Sequence, residues 1–323
     1  MPLIGEALSA LGLATLVLGG MLAVPLRRPP PLASIGEGAK ALDMTGMPEL
    51  SRFQARDGTW LAYRLYAGTS DRFAILVHGS SAMSDEMNGI AKAFAATGAT
   101  AVAPDMRGHG ASGTRGDIGY AGQMEHDLAD LVEHLEATRA DARPGTRFAL
   151  VGHSLGAGFA ARISGTPLGA RFERFVLIAP FLGARAPTSG AGNRRWARAN
   201  VPRIIALDIL RRFGVALGEH LPVIAFGTDP AAGLYLTPVY SFRLLADFGP
   251  DFAWARTKAA LAAAARRTAV IAAGRDDLMD PAAIARELKP LGIDVTDLPD
   301  LDHMQTCVEP TALAAIVAAA KGA

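Results

Sequence analysis

Phe148-Ala149-Leu150-Val151-Gly152-His153-Ser154-Leu155-Gly156-Ala157-Gly158 is an apolar run that stops at a serine flanked by glycines and continues into small, helix-compatible residues. The spacing Gly152-x-Ser154-x-Gly156 suits a sharp turn from a strand into a helix, because a side chain at either glycine would collide with the neighbouring strand or helix. Such a turn lifts the Ser154 hydroxyl clear of a sheet. It also leaves the Leu155 amide, at a helix N-terminus, facing whatever the serine attacks. Ser154 therefore reads as a nucleophile. A buried strand that merely runs into a loop would use the same letters, so the rest of the chain has to discriminate.

Working outward, the same pattern recurs. Ser51 to Arg56 and Trp60 to Tyr66, separated by Asp57-Gly58, read as a hairpin. Phe73 to Val77 is an apolar run of strand length ending at His78-Gly79-Ser80-Ser81, followed by a helical pattern from Met83 to Thr97. Thr100 to Pro104 is the next strand and ends in Asp105-Met106-Arg107-Gly108-His109-Gly110. An amphipathic helix fits Tyr120 to Arg139, with Leu128, Leu131, Val132 and Leu135 on one face. Beyond Ser154 a further apolar run covers Phe175 to Ala179. Unbroken apolar strands alternating with helices imply a mostly parallel, twisted sheet covered on both faces.

The alternation breaks after Pro180. Residues 181–266 show helical periodicity interrupted by Pro202, Pro222, Pro230, Pro238 and Pro250, which predicts a helical cap inserted after the sixth strand. Strand, helix, strand and helix then resume over 267–323, with Gly274-Arg275-Asp276-Asp277-Leu278-Met279-Asp280-Pro281 after one strand and Leu301-Asp302-His303-Met304 after the next. The core is thus expected over 51–180 and 267–323.

Before residue 51 the chain reads differently. Ala7 to Leu26 carries no charge, and about 20 residues at ~1.5 Å rise would cross a bilayer as a helix. Residues 1–28 are accordingly expected to be an N-terminal transmembrane anchor, with a cleaved signal segment and export as the alternative. Arg27-Arg28 on the C-terminal side of the run favour a cytoplasmic catalytic domain. Residues 29–50 read as a linker.

A serine hydroxyl needs a base to take its proton and a third group to fix the tautomer of that base. In an open α/β sheet such groups sit at the carboxyl ends of strands. Ser154, Asp277 and His303 fall there, in that order. With His78-Gly79, Asp105-x-Arg107-Gly108-His109-Gly110, Gly152-His153-Ser154-Leu155-Gly156, Gly274-x-x-Asp277 and Asp302-His303, the chain from Ser51 to its end, the cap excepted, resembles the α/β-hydrolase superfamily. Within it the pattern is most similar to the serine-aminopeptidase and monoacylglycerol-lipase-like group.

That resemblance implies Ser154 as nucleophile, His303 as general base and Asp277, three residues after the glycine, as the orienting acid. It places the oxyanion donors at the backbone amides of Ser80 and Leu155. Asp276 and Asp280 flank the expected acid and read as caps of the helix that begins near Pro281. His78, His109 and His153 read as loop-shaping residues, as do Asp105 and Arg107.

The cap is expected to select the substrate. Most of its aromatic residues would form its own core, and Phe226, Tyr235 and Tyr240 are the candidates for an apolar acyl pocket. The expected activity is cleavage of carboxylic esters with lipid-like or hydrophobic acyl groups, the partners being such an ester and a membrane held through the N-terminal helix. A peptidase of the same fold would want an acidic cap residue for the substrate ammonium, for which Glu219, Asp229, Asp247 and Asp251 are available. A non-catalytic homologue acting as a binding protein would be expected to lose one of the three catalytic residues.

Composition narrows the rest. In 323 residues, 32 Lys and Arg against 31 Asp and Glu leave a net charge of +1, too little to recruit nucleic acid. The single cysteine, Cys307, excludes an internal disulfide or thiolate cluster and reads as a small packed thiol. The histidines are scattered over separate loops and Gly-rich phosphate motifs are missing, so neither a metal nor a cofactor is expected.

Overall fold

The computed structural model describes residues 2–138, 146–229 and 236–321, with backbone only at 2–5, 7, 8, 10 and 11. The chain opens with helices α1 (Pro2–Ala23) and α2 (Ala33–Lys40). Strands β1 (Leu50–Gln54), β2 (Trp60–Tyr66) and β3 (Arg72–Val77) lead to helix α3 (Asn88–Ala96). Strand β4 (Thr100–Pro104), helix α4 (Gln123–Thr138), strand β5 (Arg147–His153), helix α5 (Leu155–Ile163) and strand β6 (Phe172–Ile178) follow.

These strands join β10 (Thr268–Ala273) and β11 (Asp294–Leu298) in one eight-stranded sheet of order β1-β2-β4-β3-β5-β6-β10-β11. The hairpin β1–β2 is antiparallel and β2 runs antiparallel to β4, while every pairing from β4 to β11 is parallel. The unbroken apolar strands find their explanation at the centre. In β5, Phe148 and Leu150 face one core cluster while Ala149 and Val151 face the other. Helices α4, α5 and α10 (Pro281–Leu288) cover the first face, and α3 and α11 (Pro310–Lys321) the second. Each large apolar side chain fully buried in this way contributes about 1.5–3 kcal/mol.

Between β6 and β10 the chain forms α6 (Asn193–Trp196), β7 (Ala197–Ala199), α7 (Val201–Arg212), β8 (Pro222–Phe226), β9 (Val239–Ser241), α8 (Phe242–Asp247) and α9 (Trp254–Ala263). The cap, expected to be helical with no clear buried strand, also carries β7, β8 and β9, which make a separate antiparallel sheet in the order β7-β8-β9. These strands are three to five residues long, too short for an alternating pattern to register. Pro222 and Pro238, read from sequence as helix breaks, open β8 and precede β9.

The N-terminal region departs further from expectation. Part of the stretch expected as an anchor, the side chains of residues 7, 8, 10 and 11, lies outside the described residues. Among the described residues no helix is long and apolar enough to cross a membrane. The end of α1 is instead bound by protein: Arg203 Nε donates to Leu22 O at 2.9 Å, and Asn200 Nδ2 and Arg203 Nη2 donate to Val24 O at 2.7 Å. Leu22 packs beside the small cluster of Leu207, Val223 and Phe242. The expected linker is not featureless either, since α2 lies within it and packs Ile35 against the main core.

Candidate active site

Parallel β5 sits between β3 and β6, with Gly152 opposite Val77 and His153 opposite Ile178. Ser154, the next residue, has φ 53° and ψ −114°, a left-handed backbone that costs a non-glycine residue about 1–3 kcal/mol. The close approach expected at the two glycines is there. A Cβ on Gly152 would lie 2.3 Å from Gly156 O, and one on Gly156 would lie 2.4 Å from His78 O. The chain reverses in this space and α5 starts at once, so the Leu155 amide has no acceptor within its own helix.

The loop after β3 supplies the facing backbone. Gly79 N–H donates to Glu86 Oε2 at 2.5 Å, and Ser81 N–H, at φ 68°, donates to Tyr240 Oη at 2.7 Å. The amide between these two bonded ones is that of Ser80, whose hydroxyl accepts from Trp196 Nε1 at 2.9 Å. His78, His109 and Asp105 shape these loops: Met106 N–H donates to His78 Nε2, His109 Nε2 meets Tyr240 Oη, and Asp105 accepts from Ser84 and Ala111 amides. Burial holds both imidazoles below their usual range, and therefore neutral.

His303 meets a carboxylate, but it belongs to Asp276. Asp276 Oδ2 lies 2.8 Å from His303 Nδ1, while its Oδ1 accepts from Leu278 and Met279 N–H at 2.8 and 3.0 Å. The side chains of His303 and Asp276 are 4% and 1% exposed. Burial alone would discharge both. The attraction between them outweighs it, so the imidazole is pushed above its ordinary range and the carboxyl below.

Asp277, expected in that place, points elsewhere. Its side chain is 32% exposed and accepts from Ser34 Oγ at 2.9 Å, with Arg195 3.9 Å away. The reason is the turn: Asp276 Oδ1 bonds the amide two residues on, which aims the earlier carboxylate inward, and Gly192 N–H holds the Asp277 carbonyl from the cap side. Asp280 caps α10 as expected, accepting from Ala283 N–H at 2.9 Å.

Ser154 and His303 line one cavity of about 60 Å³, together with Ser80, Trp196, Leu236, Leu278 and Met304 and, unexpectedly, Ile35, Ala39 and Leu42. Of the cap residues proposed from sequence, Phe226 and Tyr240 are not in this wall. Phe226 packs against Trp196 and edge-on against Tyr240 in the core, and Tyr240, fully buried, braces the loop after β3 through its hydroxyl. Tyr235 lies outside the described residues. Aromatic content marked these positions but carried no information on direction. A hollow of about 20 Å³ at the opposite ends of the strands, near Arg72, Phe94 and Val317, holds none of the site residues.

Beneath the site lies an ion pair that sequence reading missed. His153 Nδ1 meets Glu86 Oε1 at 2.8 Å, and the His153 ring packs against that of His303 with centroids 4.8 Å apart. Burial opposes charge on His153, but Cys307 and the Glu86 carboxylate outweigh it and hold the imidazolium up to about 10. Glu86 is correspondingly lowered, its desolvation overcome by His153. Glu86, His153 and Cys307 bring ligand-type atoms within 4.8 Å of one another, but Glu86 already accepts from His153 and Gly79, so the group closes on itself. Glu86 follows three other polar or sulfur-bearing residues in a short turn, and no local pattern distinguishes it.

The sheet order, the strained serine elbow and the buried His–Asp pair define an α/β hydrolase. Residues 68–298 match the serine aminopeptidase, S33 family, and the chain belongs to it. A comparison with curated proteins finds no match. Among solved structures, a soluble variant of monoglyceride lipase from Saccharomyces cerevisiae, in complex with a substrate analogue, superposes with a TM-score of 0.60 at 14% identity, over 85% of this chain and 93% of that one. The monoacylglycerol lipase of Paleococcus ferrophilus gives 0.57 at 18% identity over 80% and 98%. The Pyrococcus furiosus esterase Pf2001 gives 0.56 at 16% over 93% and 98%. At these identities the likeness is one of fold.

Proposed function

We propose that the protein is a serine hydrolase that cleaves carboxylic esters of apolar acyl groups through an acyl-enzyme on Ser154. The carrying observation is that Ser154, on its strained elbow, opens into the same cavity as His303, whose other nitrogen is held by Asp276.

In this mechanism Ser154 Oγ attacks the ester carbonyl carbon and its proton passes to His303 Nε2. The Asp276 carboxylate holds Nδ1–H and stabilises the imidazolium that forms. The Ser80 and Leu155 amides receive the developing oxyanion. Collapse expels the alcohol with the proton from His303. Water, deprotonated by His303, then attacks the acyl carbon and frees the acid and Ser154.

Apolar side chains dominate the wall, with Ile35, Ala39, Leu42, Leu236, Leu278 and Met304 around the serine, which favours an acyl chain over a charged substrate. The lipase and esterase neighbours support the same choice. Glu219, Asp229, Asp247 and Asp251, considered as ammonium partners for a peptidase, lie outside that wall; of the two carboxylates within it, Glu86 is paired with His153 and burial pushes Asp85 up to about 6. Hydrolysis of p-nitrophenyl acyl esters against aminoacyl anilides tests the reading. Esters should be turned over and Ser154→Ala should lower the rate by several powers of ten, on the order of 10⁴ or more. Faster anilide cleavage, or ester turnover that survives in the variant, would overturn it.

A further inference from the structure

The residues expected to form a linker run along one side of the cavity as a strap fastened at both ends. Leu32 N–H donates to Gly227 O at 3.1 Å, joining the strap to the cap. Ser34 Oγ donates to Asp277 Oδ2 at 2.9 Å, joining it to the loop that carries Asp276. A Cβ on Gly38 would fall 2.3 Å from Met304 Cβ, so the α2 backbone rests against the residue that follows His303. Beyond α2, Lys92 Nζ pairs with Asp43 Oδ2 at 2.6 Å, and Asn88 Nδ2 donates to Asp43 O and Thr45 O.

So fastened, α2 divides its residues by side. Ile35 and Ala39, one turn apart, face the cavity with Leu42 just beyond, whereas Glu37 and Lys40 are exposed. The match to the family begins only at residue 68, so this wall is supplied by a part of the chain outside the family's common region.

We propose that residues 33–42 form a substrate wall and that Ile35, Ala39 and Leu42 set the acyl-chain length the enzyme accepts. The proposal rests on Ser154 being the acylated nucleophile. Asp277 acquires a role in it: its carboxylate is the latch for the strap, one residue from the carboxylate that orients the base.

The test measures labelling rates of the full chain by an ethyl and by a dodecyl fluorophosphonate, which read access to Ser154 without ester turnover. Ile35→Ala enlarges the wall and should raise the dodecyl-to-ethyl rate ratio about tenfold, and Ala39→Leu, which fills it, should lower the ratio about tenfold. Glu37→Ala, on the outer side of the same helix, should leave the ratio within about twofold of the parent, the spread set by mutating an exposed helix position. Thermal melts confirm that each variant folds, and the opposite signs keep the test decisive if one of them does not. A ratio unchanged in the folded wall variants overturns the proposal while leaving the hydrolase reading intact. A parent chain unlabelled by either probe removes the hydrolase reading and this proposal with it.

Discussion

Asp276 and Asp277 are neighbours in sequence that serve different partners, and the difference is measurable. Asp276 is buried against His303 Nδ1, whereas Asp277 is partly exposed and holds Ser34. Asp276→Asn should leave His303 in the wrong tautomer and lower kcat by about 10⁴. Asp277→Asn should cost less than about tenfold, since the amide oxygen still accepts from Ser34 and only the charge on that bond is lost. Steady-state kinetics of the two variants check both figures. The charge state of His303 makes a second prediction. A general base must be neutral, and Asp276 raises the His303 pKa above the ordinary 6.5. The acid limb of kcat/KM should therefore lie above that value, and in Asp276→Asn it should move to lower pH as the stabilising charge is lost.

The elbow between β5 and α5 and the ion pair beneath it act as elements. Gly156→Ala would press a methyl against His78 O at 2.4 Å, and the obstacle is backbone that cannot rotate away. Overpacking of this kind costs about 1–3 kcal/mol, to be read from denaturant unfolding. Glu86 and His153 join the loop after β3, the elbow and the loop of His303, since Glu86 also takes the Gly79 amide and His153 Nε2 lies 3.3 Å from His303 O. Removing one member leaves a buried charge alone, at about 3–5 kcal/mol.

The pH dependence of that pair has a definite sign. His153 is raised in the folded chain, so its contribution is complete below 6.5 and is lost as pH climbs through about 10. Glu86 is lowered, so its contribution is present above the model-peptide value of 4.5 and lost as pH falls. Stability owed to the pair is thus greatest between those ordinary values and declines on the alkaline side. Melting temperatures measured against pH should show that decline in the parent and a flatter alkaline limb in Glu86→Gln.

At the scale of the whole molecule, the sheet was legible because its strands are buried on both faces. Phe148 to Val151 and Phe73 to Val77 present apolar residues to two cores, and a run of that kind has few other structures open to it. Ser154 and His303 were legible for a related reason: Ser154 follows β5 directly and His303 lies in the loop after β11, where chain order still tracks position in space. Asp276 was not, because a single Asx turn decides which of two adjacent carboxylates faces inward. Glu86 and the strap were hidden for want of any local pattern. Glu86 meets His153 across 67 residues and Ser34 meets Asp277 across 243, so only the folded chain brings them together. The cap strands escaped notice through brevity, whereas the helix of α1 was expected but as an anchor, its uncharged run being read as lipid-facing when its contacts are with α7.

One measurement bears most directly on the account. The intact chain is treated with a small fluorophosphonate, digested, and the covalent adduct located by mass spectrometry, with His303→Ala treated in parallel. A single adduct on Ser154, formed far more slowly in His303→Ala, is the expected result. Absence of an adduct in the parent chain, or one placed on another residue, would contradict a serine nucleophile activated by His303.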